Sequence, residues 1–493
     1  MSEHLYLFQI GPVQSFIAAA RRTQDLYVGS RLLSSLAAAG VDEARRCGAA
    51  MLFPAVDESG ELPEGVPHRF AFALDVESPA QVASQIEGAI RSRWQEKRVI
   101  PVRDWLLRHV GDGSWVDEFD SQLDGWLEFY WVAVPTAGMS HGEAYKAAGA
   151  ALAARKQARY FPQINDAPRP KCTVTGAAAA LQIDWDSLRS ALGEPVLREN
   201  EKLGALTLVK RVLGRVYPEI GDTSFRSTVL VAGNPVEQDR ETDTNKLKYP
   251  YLAILHMDGD RMGMKLADLK SAKDHRGFSA KLAQFATEVE ELIPSPGELV
   301  YAGGDDVLAL VPLNQALKCA DDIRAEFESR VGGTMSAGIA IMSVNTPLDS
   351  ALEEARLAEK RAKKVYGRSA IVVRDFRSTA IREAGAQWTT GGQAIMEVMR
   401  DLQEHFREDR LSGKLGYDLL EIASAMSGNL PPEARAGELR RLIKRRSGEG
   451  ARLDADTLTG QLAALGESLA FGWESLANWV ILARFLAKGG RRE

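Results

Sequence analysis

Cysteine is nearly absent from this chain: Cys47, Cys172 and Cys319 are the only three in 493 residues. Thiols so few and so far apart exclude a disulfide scaffold and point to a reducing, cytoplasmic setting. Long apolar runs are missing as well. Nothing reaches the ~18 residues of a membrane span, and the first residues show no charged-then-apolar signal segment. Nor is positive charge in excess: 61 Lys and Arg against 67 Asp and Glu leave a formal charge of −6. That balance excludes a nonspecific nucleic-acid coat and confines any such contact to local patches. Low-complexity segments are absent. What remains, 45% hydrophobic and 26% charged, suits a soluble protein with chain enough for about three or four domains.

The most informative segment runs from Leu299 to Val311 as Leu-Val-Tyr-Ala-Gly-Gly-Asp-Asp-Val-Leu-Ala-Leu-Val. Two apolar runs flank Gly303, Gly304, Asp305 and Asp306, so the pattern predicts a tight hairpin whose glycines permit the turn. It presents two adjacent carboxylates at the end of a sheet. Hard oxygen ligands at that density suit Mg²⁺ or Mn²⁺, since Mg²⁺ is usually held by one or two carboxylates plus substrate phosphates. Taken alone, a solvated turn would read the same way.

A second acidic motif alters the balance. Tyr251–Met257 is a nearly continuous apolar run, as in a strand buried on both faces. It leads into Asp258-Gly259-Asp260-Arg261-Met262-Gly263, which reads as a loop whose backbone N–H groups, from Gly259 to Gly263, can cradle an anion. Leu282, Phe285, Ala286, Val289, Leu292 and Ile293 then follow helical spacing, before a strand at Glu298–Ala302. After the hairpin, a helix lined by Ala316, Leu317, Ala320, Ile323 and Phe327 precedes a strand at Thr334–Ile341. A second helix, lined by Leu348, Ala351, Leu352, Ala355, Ala358 and Ala362, precedes one at Ala370–Val373. The order β-α-β-β-α-β-α-β is a ferredoxin-like core with an extension. In that topology the first strand neighbours the hairpin, and Asp258 comes beside Asp305 and Asp306. Three carboxylates without a basic neighbour repel one another, and a bound divalent metal resolves the conflict.

With these residues in place, the chain resembles a known family. The Gly-Gly-Asp-Asp hairpin, the Asp258–Asp260 motif and the strand Ser336-Ala-Gly-Ile-Ala340 are similar to the palm shared by nucleotide cyclases and some polymerases. The segments Ile10-Gly-Pro-Val-Gln-Ser-Phe-Ile17, Ala20-Arg-Arg-Thr-Gln-Asp-Leu-Tyr-Val-Gly-Ser30 and Leu32-Leu-Ser34 resemble the opening of the large, palm-containing subunit of type III CRISPR effector complexes, particularly the III-B branch. Glu201-Lys-Leu203, Lys210-Arg211, Phe278-Ser279, Leu282-Ala283 and Phe285-Ala286 match too. Two departures narrow the expected activity. Many relatives open on a metal-dependent HD nuclease domain, whereas this chain opens directly on the Gly-Pro-Val-Gln segment and none of its seven histidines is followed by Asp. Cleavage of single-stranded DNA is therefore not expected. Where the family's helical insertion carries paired CxxC zinc motifs, this chain reads Lys171-Cys-Thr-Val-Thr-Gly176, so no zinc is expected.

The resulting fold class is α+β. Residues 1–140 read as a degenerate palm, with strands at Leu5–Ile10, Met51–Phe53, His68–Val76 and Trp126–Val134 and a helix from Val13. Residues 141–245 read as a helical insertion broken by Pro168, Pro170 and Pro195, 246–378 as the catalytic palm, and 379–493 as a wholly helical C-terminal bundle.

The resemblance implies an activity and partners. A ribose hydroxyl of one nucleotide attacks the α-phosphate of ATP held over Asp258, Asp305 and Asp306, with pyrophosphate leaving. Gly303 and Gly304 leave room for the nucleotide. Of the basic residues Lys360, Arg361, Lys363 and Lys364, the resemblance places Lys363 or Lys364 against the triphosphate, while Gln14 and Ser15 are candidates for the acceptor side. Cyclic oligoadenylates or AMP conjugates are the implied products. The implied partners are the other effector subunits, a CRISPR guide RNA and the target RNA that activates the site. Further basic groups, Arg155, Lys156 and Arg159 with Arg169 and Lys171, and Arg440, Arg441, Lys444, Arg445 and Arg446, are candidate phosphate contacts or solvated helix faces. A noncatalytic scaffold and a stand-alone dinucleotide cyclase are the alternatives.

Overall fold

The computed structural model describes residues 2–56, 60–63, 65–158, 169–193, 196–218, 225–235, 247–377, 381–426, 428, 430–448 and 453–489. By their internal contacts they form two compact units. The first is Met1–Phe225 with Arg261–Thr287 and Val300–Gly304; the second is Arg226–Asp260, Glu288–Leu299 and Asp305–Glu493. Arg159, Pro168 and Pro195 lie outside the described residues.

In the first unit, strands β1 (Ser2–Gly11), β2 (Ala50–Phe53), β3 (Arg69–Val76) and β4 (Glu128–Pro135) form an antiparallel sheet in the order β2-β3-β1-β4. Leu5, Tyr6, Leu7, Phe8 and Ile10 of β1 are all buried, because both faces of the sheet are covered. On one face Tyr6 stacks on Phe72 at 4.6 Å and Phe8 on Phe70 at 5.0 Å, each pair directly opposed in the ladder. On the other, Leu5, Leu7, Leu52 and Ala71 meet Ala144, Tyr145, Ala148 and Leu152 of the helix His141–Gln157. Sequence reading assigned that helix to the insertion. Its alanines at helical spacing instead let it lie close on the sheet. The segment after Asp260, expected to stay with the second palm, packs on this helix too: a Cβ on Gly142 would stand 2.2 Å from the Ala267 carbonyl, and His275 lies 3.1 Å from His141.

A buried ionic cluster joins the rest of the unit. Arg211, on the helix Ala205–Val216, donates to Asp25 at 2.5 and 2.9 Å and to Glu201 at 3.1 and 3.3 Å. Neighbouring Lys210 donates to the carbonyls of Phe16 and Ala19 at the end of the short helix Gln14–Ala18, and burial brings its pKa down to about 7. The sequence segments around residues 25, 201 and 210 thus meet in one structural knot.

The second unit is built on β5 (Tyr251–Gly259), flanked by β7 (Asp306–Pro312) and β8 (Met335–Ser343), both antiparallel to it. With β9 (Ala370–Asp375) and β10 (Arg382–Gln387) the order runs β10-β9-β8-β5-β7, and the strand β6 (Glu298–Gly303) precedes the turn into β7. The helix Leu348–Lys364 crosses β8 at Gly338, where a Cβ would stand 2.2 Å from the Glu359 nitrogen and 2.3 Å from the Ala355 carbonyl. Only glycine admits a helix that close. Beyond the helix, Gly367, Arg368 and Ser369 all take left-handed backbone angles before β9 begins.

Strand β10 departs from expectation, since the chain beyond Ser378 read as wholly helical. Arg-Glu-Ala-Gly-Ala-Gln carries no strong strand former. It is held instead by its ladder with β9, by Glu383 bridging Arg361 at 2.6 Å and Arg374 at 2.7 Å, and by Trp479 donating to the Gly385 carbonyl at 3.3 Å. Five helices follow, from Ile395–Arg407 to Gly472–Ala487, whose Trp473 and Trp479 are buried. Among the described residues, no helix is long and apolar enough to cross a membrane.

Replacing Arg211 by Met should destabilise the first unit by about 3–5 kcal/mol, because it strands Asp25 and Glu201 in the interior. Urea unfolding checks this; a loss within 1 kcal/mol, about the worth of an exposed pair, would remove the cluster from the structural role given it here.

Candidate active site

The expected loop at residues 258–263 begins later than its sequence suggests. Asp258 and Gly259 are still ladder members of β5, Asp258 standing directly opposite Asp306 on one side and Ser336 on the other. The Gly259 amide donates to the Asp305 carbonyl at 2.9 Å and the Asp260 amide to the Thr334 carbonyl at 2.8 Å. Two of the amides expected to cradle phosphate are therefore already engaged. Gly303 closes β6, Gly304 turns at φ +77°, and Asp305 occupies the turn before β7.

This register brings Asp258, Asp305 and Asp306 together. Burial, followed by the charges of Asp258 and Asp306, pushes the Asp305 carboxyl up to about 7. Directly opposed like charges destabilise an antiparallel pair, so the ladder alone disfavours full ionisation here. Asp260, by contrast, is a brace. Its carboxylate accepts from Thr334 Oγ1 at 2.8 Å, Ser336 Oγ at 2.8 Å and the Ser369 amide at 2.9 Å, tying the end of β5 to β8 and to the left-handed loop.

The cluster has a basic neighbour after all. Lys363 contacts Asp258 Oδ2, lies 2.9 Å from Glu359 Oε1 and 3.4 Å from the Gly259 carbonyl. Burial lowers the Lys363 pKa, but Asp258 and Glu359 more than offset that, and the net shift is upward. Lys364 is exposed and Gly263 sits in the helix Met262–Ala267. Gln14 and Ser15 are exposed in the first unit.

Two residues escaped sequence reading. His256, two positions before Asp258 and so on the same strand face, is buried with Nε2 3.7 Å from Asp306 Oδ1. Burial brings its pKa down to about 4, so it is neutral at physiological pH and offers the aspartates no countercharge. Glu359, one helical turn before Lys363, faces the same side, and burial raises its pKa.

The arrangement fits a divalent cation only in part. Among the described residues no three His, Cys, Asp or Glu side chains form a ready metal cage. Mg²⁺, which keeps waters and takes substrate phosphates with one or two carboxylates, does not need one. The half-buried, mutually repelling carboxylates have the donor chemistry for it.

The basic groups elsewhere are largely spoken for. Arg440 pairs with Asp456, Arg441 with Glu438 at 2.6 Å and Arg446 with Asp418 at 2.5 Å; Arg440, Arg441, Lys444 and Arg445 are all exposed. Arg169 forms two hydrogen bonds to Glu118, both at 2.9 Å, and Lys156 reaches Gln9 at 3.3 Å. Cys172 is buried, its Sγ 3.5 Å from Thr207 Oγ1.

Parts of the chain match known families. Residues 251–372 match the family described as Cas10/Cmr2, second palm domain, and residues 5–97 that described as CRISPR-associated protein Cmr2, N-terminal. Over these two regions the chain is similar to Cas10/Cmr2 proteins. The CRISPR system Cmr subunit Cmr2 of Pyrococcus furiosus is 36% identical over 157 residues, 25% of this chain and 18% of that relative's length. Among solved structures, a type III-B Cmr-beta bound to cognate target RNA matches at TM-score 0.68 and 13% identity, covering 92% of this chain and 80% of that one. A Csm1-Csm4 cassette in complex with cA4 matches at TM-score 0.53 and 17% identity, covering 98% and 70%. At these identities the likeness speaks for the Cas10/Cmr2 fold.

The raised Asp305 pKa has a testable sign. A carboxyl whose folded value lies above its unfolded value near ~4 leaves stability untouched below that pH and lowers it progressively towards pH 7. In EDTA, Asp305→Asn should therefore match the parent near pH 4 and exceed it in melting temperature above pH 7. Parallel curves across that range would show that Asp305 titrates normally.

Proposed function

We propose that this chain is the large subunit of a type III CRISPR effector complex. In this reading it makes an adenylate second messenger from ATP when target RNA pairs with the guide. The observation that carries the reading is the register pairing of Asp258 with Asp306, with Asp305 beside them, at the open end of a palm sheet. Relatives of the same fold have been solved with one ATP, with cA4 and with cognate target RNA. Assembly with the other effector subunits and the guide RNA, in the cytoplasm, is part of the same proposal.

The reaction is nucleotidyl transfer. The ribose oxygen of an acceptor nucleotide forms a bond to the α-phosphorus of ATP, the α–β bridging bond breaks, and pyrophosphate leaves with the electron pair. Asp258, Asp305 and Asp306 would hold Mg²⁺ or Mn²⁺, which would lower the pKa of the attacking hydroxyl and neutralise charge on the leaving group. Gly303 carries no Cβ and would meet nothing within 4 Å if it did, so the turn leaves open space for a nucleotide. Lys363 is the residue for the triphosphate, and Lys364 is dropped from that role. Gln14 and Ser15 are retained as candidates for the acceptor nucleotide.

Changing Asp305 and Asp306 together to Ala should abolish product formation from α-labelled ATP by the complex reconstituted with guide and matching target RNA. Asp258→Asn should cost at least about 10²-fold, the usual scale for losing a preorganised electrostatic group. Assembly, read by gel filtration, should be unchanged, because a turn at a sheet end contributes little packing. Product at parental levels from the double variant would exclude these carboxylates, while parental protein that leaves ATP intact under the same conditions would favour the scaffold reading.

A further inference from the structure

The ammonium of Lys363 sits where a cation is wanted. Its oxygen neighbours are Asp258 Oδ2, Glu359 Oε1 at 2.9 Å and the Gly259 carbonyl at 3.4 Å. Carboxylate and backbone carbonyl oxygens around one positive centre are the donor set of a hard divalent cation. Of the cations nearby, Arg361 and Arg374 are committed to Glu383.

We infer that Lys363 is a resident counter-ion for the carboxylate cluster, displaced when a divalent cation arrives, and that Glu359 is the partner that holds it once displaced. The inference rests on the carboxylate cluster being the cation site proposed above. Metal and ammonium compete for one oxygen of Asp258, so whatever stabilises Lys363 away from Asp258 favours the metal. Glu359 is placed for that task. It lies one turn before Lys363 on the same helix, and the glycine contact at Gly338 fixes the height of that turn over the sheet. A buried ammonium left with no carboxylate would be strongly disfavoured. With Glu359 present, the exchange leaves every buried charge paired, and the ammonium is held within reach of an incoming phosphate. Glu359 is thus a positioning residue. It acts on the reaction through Lys363.

Mn²⁺ titrated into the purified chain, with free Mn²⁺ read by its paramagnetic resonance signal, tests this without nucleotide or activity. Lys363→Met should bind Mn²⁺ about tenfold more tightly than the parent, and Glu359→Gln about tenfold more weakly, the scale of a close charge pair. Lys363→Gln provides the same arm should the methionine variant fold poorly. Lys360→Met, an exposed lysine of the same helix, removes the same charge without the contact and should shift affinity less than about twofold, as screened exposed charges do. Unchanged or weaker Mn²⁺ binding in both Lys363 variants would overturn the counter-ion role. Parental binding in Glu359→Gln would overturn the assignment of Glu359. Parental binding in the Asp305→Ala, Asp306→Ala double variant would instead sink the carboxylate site itself.

Discussion

Asp258 and Asp306 face each other across neighbouring strands, and much of the second unit answers that repulsion. The pairing is fixed by the β5–β7 ladder, whose register is held by buried residues on both faces and cannot slip without turning Leu252–Met257 inside out. Three responses are visible. Asp305 is biased towards keeping its proton, Lys363 leans in against Asp258, and His256 stays neutral beneath Asp306. Each is what a low-dielectric site does with surplus negative charge before a metal or a nucleotide enters it.

Backbone approach, more than side-chain chemistry, lets those responses occur. Gly338 admits the helix carrying Glu359 and Lys363 onto β8, opposite His256 in the adjoining strand. Gly385 gives β10 the same latitude, since a Cβ there would stand 2.3 Å from the Tyr366 ring. In the first unit the buried Arg211 cluster does with charge what these glycines do with space, drawing the segment around Asp25 to the distant one that carries Glu201 and Arg211.

The strands and helices of the two sheets and the convergence of Asp258, Asp305 and Asp306 were legible in the sequence because they are local patterns: apolar runs, helical spacing, adjacent carboxylates; the lysine was open between Lys363 and Lys364 and came from the resemblance. What escaped depends on pairing between distant positions. Nothing near Arg440 announces Asp456, nor near Arg446 announces Asp418, so the ion pairs within that basic run could not be read in advance. The same holds for β10, a weak strand former recruited by its neighbour, and for the helix His141–Gln157, whose alanines marked it as helical without naming the sheet it covers. Glu359 and His256 were within reach of a stricter reading, one turn and one strand repeat from residues already singled out.

The anchoring of the Leu348–Lys364 helix bears on how its lysine can move. At its last turn Arg361 is clamped through Glu383 to Arg374, and the left-handed loop that follows is pinned by the Ser369 amide to Asp260. At its middle, backbone rests on backbone at Gly338. A helix so riveted has no stroke as a piston. Lys363 must work as a swivel, its four-carbon stem turning about a stationary Cα, and such rotamer motion belongs to picoseconds and nanoseconds rather than the microseconds of a sliding helix. Exchange of charge at Asp258 is thereby decoupled from rearrangement of the sheet, and the palm can change its electrostatic state while keeping its shape.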